Sequence, residues 1–148
     1  MPLIGVPSRI SAEFLYQLAR MGHGDLLVIA DSNFPSDSVA KSCTHPQVIR
    51  VSGSTADVLA DVLKLFPLDS YDLRGVRVMD RVQGDKDRNL LVPAYEKIAN
   101  AASLPSANYL CYMDRFDFYN EAKRSFLVVQ TDDSSLYANI IISKGVIA

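Results

Sequence analysis

The chain has 148 residues, of which 49% are hydrophobic and 22% charged, and its formal net charge is −2. These values are typical of one globular domain, here residues 1–148, and exclude a disordered chain. Charges of both signs are mixed along the sequence, which argues against a nucleic-acid partner, and no apolar run approaches the length of about 18 residues that indicates a membrane span.

The N-terminal part predicts a helix followed by a buried strand. Ser11 is placed to cap the helix, and Gly22 is placed to end it. The apolar run 26–30 predicts the strand, which ends at Asp31. A polar residue at the end of such a strand is a common ligand in α/β folds, although Asp31 is equally suited to start a turn.

The next segment predicts a loop, a strand and a helix. Residues 31–47 are rich in Ser, Asp and Pro and predict a loop. Residues 47–51 predict a strand. Ser54 or Thr55 can cap a second helix, which Pro67 ends.

The second half of the chain also predicts alternating strands and helices. Residues 75–82 and 108–114 predict strands, and between them Pro93 begins a third helix that reaches about Ala102. A short fourth helix is expected in the segment "RFDFYNEAKRSF".

The last two β-rich runs, 126–131 and 138–143, are close in sequence, so we expect them to pair as neighbours. About six strands and four helices are predicted in all. They indicate an α/β protein, a single compact domain with a mixed central sheet flanked by helices.

The cysteines and the N-terminus bear on the compartment. Cys43 and Cys111 match neither a disulfide framework nor a CxxC motif. The first residues lack a basic stretch followed by a long apolar run, so we expect no secretory signal. A cytoplasmic location is the expectation.

The sequence has no motif for a nucleotide, a metal ion or a nucleophilic serine. His23 and His45 are far apart, and neither stands at helical ligand spacing from a carboxylate. We therefore expect no metal and no cofactor. The chemistry must use ordinary acid, base and hydrogen-bonding side chains.

Several polar residues are candidates for that chemistry. His23, within "MGHGD", is suited to acid/base work because histidine titrates near neutrality, although a histidine at a helix end is more often structural. Tyr119 and Tyr137 fit either a site or the core, and Arg115 fits either a site or a solvated helix start. Asn139 adjoins a strand, where a buried amide needs a partner.

Five segments carry a resemblance to a known family. In chain order they are "FLYQLARMGHGD", "VIADSNFP", "LKLFPLDSY", "RFDFYNEAKRSF" and "LYANIIISKGV". Their order and spacing over nearly the whole chain resemble the L-fucose mutarotase / D-ribose pyranase family. The segment "RFDFYNEAKRSF" is similar to the fucose branch.

The resemblance implies an isomerase that interconverts the α and β anomers of L-fucopyranose without metal or cofactor. It implies His23 as an acid/base residue and Tyr119 as a second catalytic group. The implied sugar-binding residues are Asp31, Asp69, Met79, Arg115, Tyr119, Tyr137 and Asn139. A ring-like or dimeric homo-oligomer with its sites near subunit interfaces is also implied.

Two departures keep alternatives open. Ala138 stands where the fucose branch has glycine, and Tyr-Ala-Asn also occurs in the ribose branch. The segment "RVSGS" stands where relatives have Arg-Ala-Asp-Gly, so any role of that aspartate is absent. The alternatives are a D-ribose pyranase, which interconverts pyranose and furanose forms, and a non-catalytic monosaccharide-binding protein.

Overall fold

One six-stranded sheet organises the structure, a computed structural model that describes residues 2–148. The strands are β1 (Leu26–Ala30), β2 (Ile49–Val51), β3 (Arg77–Met79), β4 (Cys111–Met113), β5 (Leu127–Thr131) and β6 (Ile140–Ser143). The helices are α1 (Ala12–Arg20), α2 (Ser36–Ala40), α3 (Thr55–Val62), α4 (Gln83–Asp87), α5 (Pro93–Ala101) and α6 (Arg115–Lys123). A 3-10 turn at Ala107–Tyr109 precedes β4. The predicted mixed α/β architecture is confirmed.

The strand order is β2-β5-β1-β6-β3-β4. Strand β6 runs antiparallel to both of its neighbours, and the other paired strands are parallel. The predicted pairing of β5 with β6 is wrong, because β1 lies between them. An uninterrupted apolar run such as β1 suits a central position in a sheet that is covered on both faces.

Alternating side chains of β1 divide the core into two layers. Leu27 and Ile29 face the layer formed with α1, α3 and α5, whereas Val28 and Ala30 face the layer formed with α2 and α6. This follows from the two-residue period of a strand. All four side chains are fully buried, so both faces of the sheet are covered.

The first helix begins and ends where the sequence predicts. The Ser11 hydroxyl accepts a hydrogen bond from the Phe14 N–H, as a cap should. The last helical residue is Arg20, Met21 is the C-cap and Gly22 follows it. Lys144 Nζ donates to the carbonyls of Leu18 and Met21 at 3.0 and 2.7 Å. A cation at the carbonyl end of a helix is favourable, so a distant lysine caps α1.

Two short helices, α2 and α4, are absent from the sequence expectations. The first lies inside segment 31–47, which is therefore not entirely loop. Each has five residues, too few to display an apolar period, and α4 buries no side chain. Both are recognisable only from the tertiary structure.

A buried ion pair fastens the loop after α3 to the sheet. The Arg77 side chain on β3 is fully buried and pairs with the Asp72 carboxylate and the Ser143 hydroxyl. Arg74 bonds both Asp72 and Glu121 of α6. The hydrogen bonds from Arg74, together with the charge of Arg77, hold the pKa of Asp72 well below its usual range.

We expect Asp72→Asn to lower the free energy of unfolding at pH 7 by about 2 kcal/mol, since it leaves the Arg77 charge buried without a counter-ion. Folding depresses the pKa of Asp72, so its contribution is present above the unfolded value of about 3.9 and is lost as the pH falls below it. Urea unfolding at several pH values should show the two proteins converging in acid.

The matched control is Asp37→Asn, which removes an exposed ion pair with Arg50. Such surface pairs contribute less than about 1 kcal/mol. Equal losses in both variants would contradict the assigned importance of the buried pair.

Candidate active site

A cavity of about 370 Å³ opens at the edge of the sheet where β1 ends and β6 begins. Its walls are formed by Asp31, Asn33, Phe34, Met79, Val82, Asp85, Arg88, Arg115, Tyr119, Leu136, Tyr137 and Asn139. Six of these are predicted site residues, namely Asp31, Met79, Arg115, Tyr119, Tyr137 and Asn139. The volume lies in the range of small-molecule sites.

The direction of the strands brings these residues together. Asp31 directly follows β1, and Met79 is the last residue of β3. Because β6 runs the other way, Asn139 directly before it meets them at the same edge. The first turns of α6, which lies on one face of the sheet, add Arg115 and Tyr119.

Asp31 and Asn139 form a doubly bonded pair at the base of the cavity. The Asp31 N–H donates to Asn139 Oδ1 at 2.8 Å, and Asn139 Nδ2 donates to Asp31 Oδ2 at 3.1 Å. The other carboxylate oxygen accepts from the Asn33 N–H at 2.9 Å. Burial raises the pKa of Asp31, and these hydrogen bonds partly offset it.

Arg115 and Tyr119 stand one turn apart on α6. Asp114 caps this helix by accepting from the Phe116 and Asp117 N–H groups. Arg115 Nε donates to the Tyr119 hydroxyl oxygen at 3.3 Å, and its guanidinium carbon lies 5.5 Å from the centre of the Tyr119 ring. Because this oxygen accepts from Arg115, the hydroxyl proton of Tyr119 stays available to a ligand.

Tyr137 occupies a strained backbone position. Its φ is +60°, in the left-handed region that a bulky residue rarely adopts. The hydroxyl donates to Asp85 Oδ2 at 2.5 Å and accepts from the Val82 N–H at 3.1 Å. Burial, followed by the bond to Asp85, raises the pKa of Tyr137. Such strain, held by side-chain bonds, is typical of functional sites.

Apolar side chains complete the walls of the cavity. Met79 is 6% exposed, and its carbonyl accepts from the Tyr95 hydroxyl at 2.7 Å. The Phe34 ring is tilted against that of Tyr119, with centroids 5.7 Å apart. The cavity therefore offers both polar groups and apolar surface, as a ligand with both kinds of surface requires.

His23 and Asp69 lie elsewhere in the same chain. His23 precedes β1, and the backbone N–H of Asp69 donates to the carbonyl of Ser143 at the far end of β6. The five residues of β1 span about 16 Å and separate this edge from Asp31. One chain thus does not bring its own His23 and Asp69 into the cavity.

At that opposite edge, a tight turn presents His23. Gly22 N–H donates to Asp25 Oδ2 at 2.7 Å, and Gly24 N–H donates to the Lys144 carbonyl at 2.9 Å. Gly24 has a φ of +83°, which a glycine adopts without strain. The ring Nε2 lies 3.0 Å from Asp69 Oδ1, yet the His23 side chain remains 47% exposed. The imidazole is oriented and open to solvent.

Sequence comparison places the chain among known proteins. The model of the RbsD / FucU transport protein family matches residues 5–147. The chain belongs to this family. Fucose mutarotase from Homo sapiens is 45% identical over 99% of this chain and 95% of its own length. L-fucose mutarotase from Haemophilus influenzae (strain PittEE) is 38% identical over 97% of this chain and 96% of its own length.

A solved structure of this family also resembles the chain. The crystal structure of the fucose mutarotase in complex with L-fucose from Streptococcus pneumoniae has a TM-score of 0.85 and 35% sequence identity. The structural match covers 99% of this chain and 100% of the Streptococcus pneumoniae chain. The family resemblance predicted from the quoted segments is therefore confirmed.

Six cavity residues of this family member are absent from the predicted set: Asn33, Phe34, Val82, Asp85, Arg88 and Leu136. Asn33 and Phe34 belong to the segment "VIADSNFP", so their place after β1 was a usable signal. No sequence signal pointed to Asp85 and Arg88, because they belong to the short helix α4 and its C-cap, and this helix has no apolar period.

Residues 2–148 include no helix long and apolar enough to cross a membrane. Nor do they include a group of three or more His, Cys, Asp or Glu arranged to hold a metal ion.

The pairing of Asp31 with Asn139 can be tested by Asn139→Asp. Two buried carboxylates at this distance cannot both ionise, so the pKa of one is raised. A group whose pKa rises on folding adds stability at low pH and loses it as the pH rises. At pH 7 we expect the free energy of unfolding of Asn139→Asp, measured in urea, to be about 2 kcal/mol below that of the wild type. The difference should shrink at pH 5.

The control Asn120→Asp adds a carboxyl at an exposed position of α6. Its effect on the unfolding free energy should change little between the two pH values. A deficit for Asn139→Asp that does not depend on pH would contradict the close pairing.

Proposed function

We propose that this protein interconverts the α and β anomers of L-fucopyranose by opening and reclosing the sugar ring. The observation that carries the proposal is that six predicted sugar-site residues, from separate parts of the chain, line one cavity. The curated relatives named fucose mutarotase match over nearly the whole chain and support the same activity.

The cavity walls suit a monosaccharide. The Asp31 carboxylate accepts from sugar hydroxyls through its remaining lone pairs, and Arg115 and Asn139 supply donors. A polyol needs several such fixed partners to be held in one orientation. Met79 offers apolar surface to the methyl group that distinguishes fucose from other sugars.

Exchange of the anomers requires two proton transfers. One group removes the proton of the hydroxyl on C1, and another protonates the ring oxygen while the C1–O5 bond breaks. The open-chain aldehyde then rotates about C1–C2, and the reverse transfers close the ring on its other face. His23 and Tyr119 are the proposed pair, and each such group contributes about 10²- to 10⁴-fold.

The two halves of this pair come from different copies of the chain. Tyr119 lines the cavity, whereas His23 lies at the opposite edge of the sheet. A carboxylate only accepts, so Asp69 binds the Nε2 proton of His23 and leaves Nδ1 for the substrate. We therefore propose a homo-oligomer in which a neighbouring copy inserts His23 at the cavity.

A reducing compartment fits the two cysteines. Both Cys43 and Cys111 are free thiols, and Cys43 is buried. Burial raises the pKa of Cys43, which keeps the thiol protonated and inert. We propose that the protein works in the cytoplasm.

Saturation-transfer NMR on L-fucose measures anomer exchange directly. We expect the wild-type protein to accelerate the exchange, and His23→Ala and Tyr119→Phe each to lower the catalysed rate about 10²-fold or more, because each removes one proton-transfer group. D-ribose tested in the same way addresses the pyranase alternative.

Tyr16→Phe is the matched control, since Tyr16 is an exposed residue of α1 away from the cavity. It should exchange L-fucose at the wild-type rate. Wild-type activity in His23→Ala would overturn the assignment of the acid/base pair, and faster exchange of ribose than of fucose would favour the pyranase.

Mixed oligomers test whether each site combines two copies. Co-expressed His23→Ala and Tyr119→Phe chains, carrying different tags and purified through both, should regain activity that neither has alone. With random assembly, about a quarter of the contacts join an intact Tyr119 to an intact His23. Gel filtration verifies that the mixed species is an oligomer.

The control co-expresses His23→Ala with His23→Ala under the two tags, which should stay inactive. Failure of the mixed oligomer to recover any exchange activity would show that the two residues do not combine between copies.

A further inference from the structure

The Tyr137 hydroxyl is committed to two bonds inside the protein. Its single proton goes to Asp85 Oδ2 at 2.5 Å, and one lone pair accepts from the Val82 N–H at 3.1 Å. A phenol has one proton and two lone pairs. The hydroxyl therefore retains one lone pair and no proton for a ligand in the cavity.

The direction of this bond is fixed by Arg88. Arg88 Nε donates to the other oxygen, Asp85 Oδ1, at 3.1 Å. The bonds from Tyr137 and from Arg88 both lower the pKa of Asp85, with Tyr137 having the larger effect. An ionised carboxylate accepts only, so the proton of the bond belongs to the Tyr137 hydroxyl.

The two tyrosines of the cavity consequently have opposite hydrogen-bonding character. Tyr119 accepts from Arg115, so its proton is available to a ligand. Tyr137 donates to Asp85, so its oxygen is available instead. One wall donates and the other accepts, which selects the orientation of a bound polyol.

We propose that Asp85 is a positioning residue that acts through Tyr137, turning that hydroxyl into an acceptor for one hydroxyl group of the sugar. This inference rests on the proposed function. The ligand must present a donor at Tyr137, so an L-fucose analogue with fluorine at that position binds less well. Asp85 thereby contributes to substrate selection without touching the sugar's reacting carbon.

The substitution Asp85→Asn tests the proposal because it reverses the bond. Arg88 only donates, so it attracts the amide oxygen and turns the amide NH₂ toward Tyr137. The Tyr137 oxygen then accepts from Asn, and its proton points into the cavity. A hydroxyl of the sugar loses its acceptor.

We expect Asp85→Asn to raise KM for L-fucose about tenfold, with a matching rise in the Kd measured by calorimetry. The kcat for anomer exchange should stay within about twofold, since the proton-transfer groups are unchanged. The 2-, 3- and 4-deoxyfluoro derivatives of L-fucose identify the hydroxyl involved. The wild type should reject one of them, and that penalty should shrink in the variant.

A double mutant separates this role from a general structural one. In a Tyr137→Phe background, Asp85→Asn should change KM and Kd by less than about twofold, because the hydroxyl through which it acts is gone. The control Asp87→Asn removes an exposed carboxylate of the same helix and should leave both constants at wild-type values.

The outcomes distinguish the two proposals. If the wild type exchanges the anomers of L-fucose but Asp85→Asn has the wild-type KM, the inference about Asp85 alone is overturned. The same holds if Asp85→Asn raises KM as much in the Tyr137→Phe background as in the wild type. A wild type that binds L-fucose without exchanging it contradicts the proposed activity, and Kd still tests Asp85. A wild type that does neither overturns both.

Discussion

The site depends on one reversal of chain direction within the sheet. Strand β6 lies antiparallel between β1 and β3, so the start of β6 meets the ends of its neighbours. This places the amide of Asn139 against the backbone and carboxylate of Asp31. In a wholly parallel sheet, the residue before β6 would lie at the opposite edge, and Asp31 would remain buried without that partner. The antiparallel strand therefore supplies the hydrogen-bond partner that the buried Asp31 side chain needs.

The polar groups of the cavity walls are likewise held in place by hydrogen bonds to neighbouring residues. Each of these hydrogen bonds uses one donor or acceptor of the group and leaves another free for a ligand. Asp31 keeps lone pairs, Tyr119 keeps a proton and Tyr137 keeps a lone pair. Groups fixed in this way lose little freedom when a ligand binds, which favours affinity. The left-handed backbone at Tyr137 shows that orientation is maintained against local strain.

Features of the fold that have a local cause are predictable from the sequence. The strand at 26–30 and the caps at Ser11 and Ser54 follow from apolar pattern and side-chain chemistry, and the structure contains them. The order of strands does not follow, because β5 and β6 are adjacent in sequence yet separated by β1. Helix α4, and with it Asp85, has no periodic pattern to reveal it. By contrast, the placement of His23 and Asp31 at opposite ends of a strand follows from the predicted strand 26–30, which lies between them.

The turn that carries His23 is fixed by backbone bonds of Gly22 and Gly24, not by contacts with the cavity. Substitutions in the walls around Met79 or Asp85 therefore leave the geometry of the imidazole untouched. Under the proposed assembly, the cavity walls that recognise the sugar and the turn that carries His23, one of the two proton-transfer groups, are separate parts of the chain. A lineage can alter the apolar wall around Met79, and with it the sugar it accepts, while conserving both His23 and Tyr119.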